Sequence, residues 1–399
     1  MSALSPHSAY MKHVVVDSKF QDQPYPILSR NDVRASSESS ILITVHQQQL
    51  EQASSYIRKT RAFIHLAPIT ISIMAHLFRQ SFFIPKPPIT EQNCPDQTGR
   101  VHIVTGGYTG CGLELAKILY AANATVYVAG RSSEKANKAM TEIRDNARTS
   151  KGKVDFLQVD LSDLRSIKPA VDDFRKKEST LHVLTNNAGV MQPPAGSRDA
   201  QGLDLQFGTN LAGPHLLTKM LYPMLKETAA KSTPGSVRVT WAGSLAVDLS
   251  SYKPGGLDLD EEGQPREKDI YTNYGQTKAG NLYLAQVYAK RFSKADGIVQ
   301  CCWNPGNLRS ELQRHMPWWQ SSAIAMILYP ARFGAYTELY SAVSPDLVAK
   351  DSAYYIVPWG REGQFRSDIS EAMLSKSEGG TGKADLLYQW LENHTAAYS

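Results

Sequence analysis

The chain has 399 residues, 42% of them hydrophobic and 20% charged, a balance that supports a sizeable folded core and excludes disorder throughout. Its formal net charge of +5 is modest, and basic residues alternate with acidic ones instead of forming a block, so no nucleic-acid-binding surface is expected. Four cysteines, Cys94, Cys111, Cys301 and Cys302, lack metal-ligand spacing and the ten histidines form no H-E-x-x-H pair, which leaves no metal site and suggests a reducing, cytoplasmic setting.

Residues 1–97 read as an N-terminal leader, largely disordered, with only a weak helical stretch over 50–63. The most apolar part, 63–85, is interrupted by His65, Pro68, His76 and Arg79, so it falls short of the roughly 20 apolar residues that a membrane span requires. No secretory signal pattern opens the chain, and Asp17, Asp22 and Asp32 argue against a transit peptide. Met74 is an alternative start.

From residue 98 to 399 the pattern is that of one domain. VHIVTG is followed by a glycine turn, the helical LELAKILYAA, the strand TVYVAG and a polar helix over 133–148, the signature of parallel βαβ units. Further strands are predicted over 154–159, 181–185, 237–241, 299–303 and 353–357, with helices over 163–177, 208–228 and 271–292 between them. The expected fold is α/β, a Rossmann-type doubly wound parallel sheet of about seven strands, with ligands at the carboxyl ends of the strands. Two Gly/Pro-rich stretches, 191–202 and 250–265, read as surface loops, and no internal repeat is visible.

The first turn, TGGYTGCG, carries Gly106, Gly110, Cys111 and Gly112 between a strand and a helix. Glycines there let the backbone approach a pyrophosphate, whose charge faces the amides of the helix N-terminus. The second strand ends in Ala129, Gly130 and Arg131, with no carboxylate for ribose hydroxyls. A carboxylate would repel a 2′-phosphate, whereas Arg131 and the hydroxyl of Ser132 could bind one, which favours NADP(H) over NAD; the alternative for Arg131 is a solvated loop charge.

Tyr274 and Lys278, four residues apart in YGQTK, share one helix face. A free tyrosine titrates near pH 10, so acid–base work at neutral pH needs a downward shift of about three units, which the Lys278 cation and an oxidised nicotinamide would supply. Such a pair alone is common on amphipathic helices.

Taken together, TGGYTGCG, Asp160–Leu161, NNAG at 186–189, Asn210, Ser244, YGQTK and PG at 305–306 resemble the short-chain dehydrogenase/reductase family over residues 98–399, most of all its retinol-dehydrogenase-like and fungal members. The resemblance implies that Asp160 holds the adenine edge, Asn187 the adenosine-ribose side, and Lys278 the nicotinamide ribose. Leu308 and Ser310 would meet the nicotinamide carboxamide, Ser310 standing where the family has threonine. Lys219 is a further cofactor candidate or a surface lysine. By the same resemblance Ser244, Tyr274, Lys278 and Asn210 form the catalytic set: Ser244 orients the substrate oxygen, Tyr274 exchanges the proton, and Asn210 bends its helix and completes a proton relay through Lys278.

After Pro305, an apolar stretch with Met316, Trp318, Trp319, Ile324, Met326, Ile327 and Tyr329 suggests a substrate lid over about 309–340. A pocket so lined favours a lipophilic alcohol, aldehyde or ketone, of the kind met in secondary metabolism. Core packing and a membrane-surface contact are the other readings of this stretch. The functional expectation is an NADP-dependent oxidoreductase on CH–OH groups; the alternative is a non-catalytic NADP-sensing protein on the same scaffold. A homo-oligomer is open by analogy.

Overall fold

A computed structural model describes residues 80–81, 84–308 and 328–399. The chain divides into two compact units, Met1–Pro68 and Ile69–Ser399, and every described residue belongs to the second. The weak helix over 50–63, most of the 63–85 run, Ser310 and the greater part of the expected lid lie outside the described residues.

The first strand, β1 (Val101–Thr105), is buried along its whole length, as befits a strand covered on both faces. The glycine turn feeds α1 (Gly110–Ala121), then β2 (Thr125–Gly130), α2 (Ser133–Asn146), β3 (Lys153–Gln158), α3 (Ile167–Lys177) and β4 (Val183–Asn186). The second half runs α4 (Gly213–Ala229), β5 (Arg238–Ala242), the short α5 (Ala246–Leu249), α6 (Ile270–Tyr288), β6 (Val299–Trp303), α7 (Ala331–Val343) and β7 (Tyr354–Val357). It closes with β8 (Arg361–Glu362), α8 (Ser367–Met373) and α9 (Lys383–Thr395).

These strands form one sheet in the order β3-β2-β1-β4-β5-β6-β7-β8. The first seven pair in parallel, and β8 adds an antiparallel edge to β7 that is too short to leave a sequence pattern. Chain order reverses between β1 and β4, so the carboxyl ends of those strands open a crevice suited to a ligand. One apolar layer packs Val104, Val126 and Val128 of the sheet against Leu115 and Leu119 of α1 and Ala335 and Leu339 of α7. On the other face, Ile103, Leu184 and Trp241 pack against Phe174 of α3, Leu217 of α4, Leu282 of α6 and Leu387 of α9.

Two expectations are revised here. The segment over 331–340, read as lid, belongs to α7, whose buried Ala335 and Leu339 make it a core helix. The described residues ahead of 98 also contribute to packing: Ile89 joins the core, and Oε1 of buried Gln97 accepts from His102 Nε2 at 3.1 Å. Among the described residues, no helix is long and apolar enough to cross a membrane.

Candidate active site

A cavity of about 900 Å³ opens at the carboxyl ends of the strands. Its floor begins at the glycine turn. A side chain at Gly112 would come within 2.4 Å of Asn187 Nδ2 and 2.9 Å of the Gly106 carbonyl, so only glycine lets α1 start this close to the turn. Asn187 braces that turn, donating from Nδ2 to the Thr105 carbonyl at 2.7 Å, while the Ala188 amide donates to Thr105 Oγ1 at 2.9 Å. Asn187 therefore acts first on the cradle itself, although it also lines the cavity.

At the end of β2, Arg131, Ser132 and Lys135 line the cavity together. The Ser132 hydroxyl caps α2 by accepting from the Lys135 amide at 3.3 Å. Asp160 lines the same side, its Oδ1 already accepting from the amide of Ser162 at 3.0 Å and its hydroxyl at 2.6 Å. Gly106, Gly110, Cys111 and Leu308 also border the cavity. Cys111 is no thiolate: burial, with Glu338 and Glu114 nearby, pushes its thiol well above the usual range.

Ser244 and Tyr274 meet because α6 and the turn after β5 press together. Asp269 caps α6 by accepting from the Tyr271 and Thr272 amides. At Gly275 a side chain would lie 2.4 Å from the Ser251 amide, so glycine next to Tyr274 allows the 244–251 loop to lie against this helix. Ser244 Oγ accepts from the Ala246 amide at 3.1 Å and lines the cavity together with Tyr274.

Lys278, one turn beyond Tyr274, is buried. Its Nζ lies 5.4 Å from the centre of the Tyr274 ring and donates to the Ala242 carbonyl at 3.1 Å. Burial lowers the ammonium to about 8. The phenol moves opposite to the expected direction: burial pushes Tyr274 up to about 12, with the nearby Ser244 hydroxyl pulling the other way. The physical reason is that desolvation disfavours phenolate while Lys278 directs its proton at a carbonyl rather than at the phenol oxygen.

Asn210 lies in a π-helical segment, Gly208–Ala212, that joins the turn before it to α4. Its Oδ1 accepts from the Val190 amide at 2.8 Å, and its Nδ2 donates to the Val190 carbonyl and to Thr277 Oγ1, each at 3.0 Å. A side chain at Gly189 would sit 3.0 Å from Asn210 Oδ1 and 3.6 Å from Lys278 Nζ, so both polar groups border the same gap. Lys219 is not part of this arrangement. It does not line the cavity, and its ammonium pairs at 2.9 Å with Glu392 of α9, because its position on α4 faces the C-terminal helix.

Three lining residues were not singled out from the sequence. Lys135 adds a second cation beside Arg131, and Tyr108, in the middle of the glycine turn, packs so tightly that a side chain at Gly130 would meet its ring at 2.3 Å. Glu338 of α7 is fully buried, neither carboxyl oxygen having a hydrogen-bond partner among the described residues. Burial holds its carboxyl well above the usual carboxylate range, with Lys278 opposing. A lone acid in the otherwise apolar and hydroxylic GAYTELYSA was the signal available.

The family model for short chain dehydrogenases matches residues 100–238. A short-chain dehydrogenase/reductase of Phomopsis amygdali is 42% identical over 320 residues, covering 79% of this chain and 95% of that protein. Another, from Neocamarosporium betae, is 40% identical over 319 residues, covering 79% and 92%. Among solved structures, an uncharacterized protein from Mycobacterium paratuberculosis superposes with a TM-score of 0.54 at 27% identity, over 77% of this chain and 97% of that one. Pseudomonas aeruginosa RhlG, solved as an NADP active-site complex, shares the fold at a TM-score of 0.51 and 21% identity, over 66% and 97%. A doubly wound sheet with a glycine turn at its switch point defines a dinucleotide-binding oxidoreductase scaffold. The chain belongs to the short-chain dehydrogenase/reductase family, whose members use a nicotinamide cofactor on small-molecule alcohols or carbonyls.

Proposed function

We propose that this oxidoreductase is an NADP-dependent carbonyl reductase or alcohol dehydrogenase acting on a lipophilic substrate of the secondary-metabolite type. The observation that carries the reading is the meeting of Ser244, Tyr274 and Lys278 in one cavity with a cationic end at Arg131 and Lys135.

The residues present fit the cofactor. Gly106, Gly110 and Cys111 line the cavity where a pyrophosphate would lie against the amides that open α1, with open space where a side chain at Gly110 would begin, and two cations beside the hydroxyl of Ser132 suit a 2′-phosphate. No carboxylate ends β2, where one would favour NAD. When bound, the nicotinamide supplies the hydride that reduces the carbonyl carbon.

The protein supplies the rest. Ser244 donates a hydrogen bond to the substrate oxygen and fixes it beside the phenol. Tyr274, protonated at neutral pH, gives its proton to that oxygen as the alcohol forms; in oxidation the same phenol oxygen, as phenolate, takes it back. Lys278 lends positive charge to that phenolate, and the gap bordered by Asn210 Oδ1 and Lys278 Nζ is the route by which the proton is restored. Substrate preference follows from Met191, Pro194, Leu205, Leu249 and Leu328, apolar residues that line the cavity.

The test is a panel of apolar ketones, aldehydes and alcohols assayed with NADPH, NADH and their oxidised forms. Consumption of NADPH with at least one apolar carbonyl, faster than with NADH, is expected. Tight NADPH binding with no turnover across the panel would favour a sensing protein instead.

A further inference from the structure

Gln80 lies far upstream of β1 in sequence, yet its side chain is buried beneath the active-site loops. Its Nε2 donates to Asp248 Oδ2 at 3.1 Å, and its Oε1 accepts from Asn304 Nδ2 at 2.7 Å, with the Tyr355 hydroxyl 3.5 Å from the same oxygen. Asp248 belongs to α5, whose turn is closed on Ser244 by the Val247 amide bonding the Ser244 carbonyl at 3.2 Å. Asn304 directly precedes Pro305 and Gly306. Its backbone amide donates to the Ile356 carbonyl at 2.8 Å, and its Oδ1 accepts from the Gly306 amide at 3.0 Å. That last bond fixes the orientation of the Asn304 amide, so Nδ2 faces Gln80.

The chemistry selects an amide at this position. Asp248 offers an acceptor and Asn304 a donor, and a carboxamide presents a donor and an acceptor at once on one planar group. Asp248 and Asn304 are both buried, so these bonds form where water competes little and their geometry is well defined. The two loops so joined follow the neighbouring strands β5 and β6, and both line the cavity, through Ser244 to Ala246 and through Pro305 and Gly306.

We propose that Gln80 is a positioning residue, a tie from the N-terminal segment that sets the spacing between the Ser244 loop and the Pro305–Gly306 loop. This rests on the proposed reaction, in which Ser244 anchors the substrate oxygen. An error of about 1 Å in such spacing costs about a hundredfold in rate while leaving binding groups in place.

The test uses the full-length chain and Gln80→Met, which keeps the length of the side chain and removes its hydrogen bonds to Asp248, Asn304 and Tyr355. With a carbonyl that the wild type reduces, kcat is expected to fall about tenfold, while KM and the NADPH dissociation constant stay within about threefold. Hydrogen exchange is expected to quicken in residues 244–249 and 304–308 and to stay unchanged in 101–121. Gln80→Asn, shorter by one methylene but still an amide, should lose less kcat and serves if the Met variant does not fold. Wild-type kcat in Gln80→Met, or exchange raised evenly across the domain, would overturn the tie. If the wild type reduces no carbonyl, the proposed activity fails alone, and the exchange pattern still decides for or against the role of Gln80.

Discussion

Residue chemistry sets cofactor choice and pH response here. Arg131 and Lys135 line the cavity at the end of β2, and in the proposed NADP-dependent reaction they bind the 2′-phosphate through charge-assisted hydrogen bonds of about 1.5–3 kcal/mol each. Arg131→Asp is therefore expected to lower the NADPH-to-NADH efficiency ratio at least tenfold, and an unchanged ratio would remove Arg131 as the determinant. For Lys278 the sign is equally defined. Burial lowers its pKa, so the cation beside Tyr274 is present at neutral pH and lost as pH rises through about 8. The kcat/KM for carbonyl reduction should stay level near neutrality and fall on that alkaline side; a profile that rises there contradicts a required Lys278 cation. The upward shift of Tyr274 could not be read from YGQTK, because it comes from desolvation that only tertiary packing creates.

At the scale of elements, the glycine turn and α1 are the proposed cofactor cradle. Gly112→Ala would force a methyl group against Asn187 Nδ2 and the Gly106 carbonyl, the latter being backbone that cannot swing aside. NADPH affinity measured by fluorescence titration should weaken at least tenfold, and the thermal midpoint should fall; unaltered affinity would mean that the turn is not the cradle. The strands were legible because β1, β4, β5 and β6 are buried on both faces and so read as near-continuous apolar runs. Other elements were not. The helix α7 reads in sequence as the end of a lid because the apolar run ending at Tyr329 leads into it, and its polar Thr337, Glu338 and Ser341 give no sign that they are buried. The alignment of Lys219 with Glu392 depended on where α9 docks, and sequence spacing carries no sign of that contact.

For the molecule as a whole, the described domain draws on the chain well before the glycine turn, through Gln80, Ile89 and Gln97. A chain beginning at Met74 retains all three and most of the compact unit Ile69–Ser399. It is expected to fold and to bind NADPH with the affinity of the full-length protein; loss of soluble protein would make residues 1–73 structural. The fold, the glycine turn and the family were all readable from ordered motifs, whereas the ties between distant segments emerged only with the packed structure. The central claim is that one cavity joins cofactor binding to proton transfer by Tyr274. The most direct test compares Tyr274→Phe with wild type for NADPH-dependent carbonyl turnover and for NADPH affinity in the same preparation. Turnover should fall by a factor on the order of 10³ with the dissociation constant within about threefold; turnover retained within about tenfold of wild type would contradict the claim.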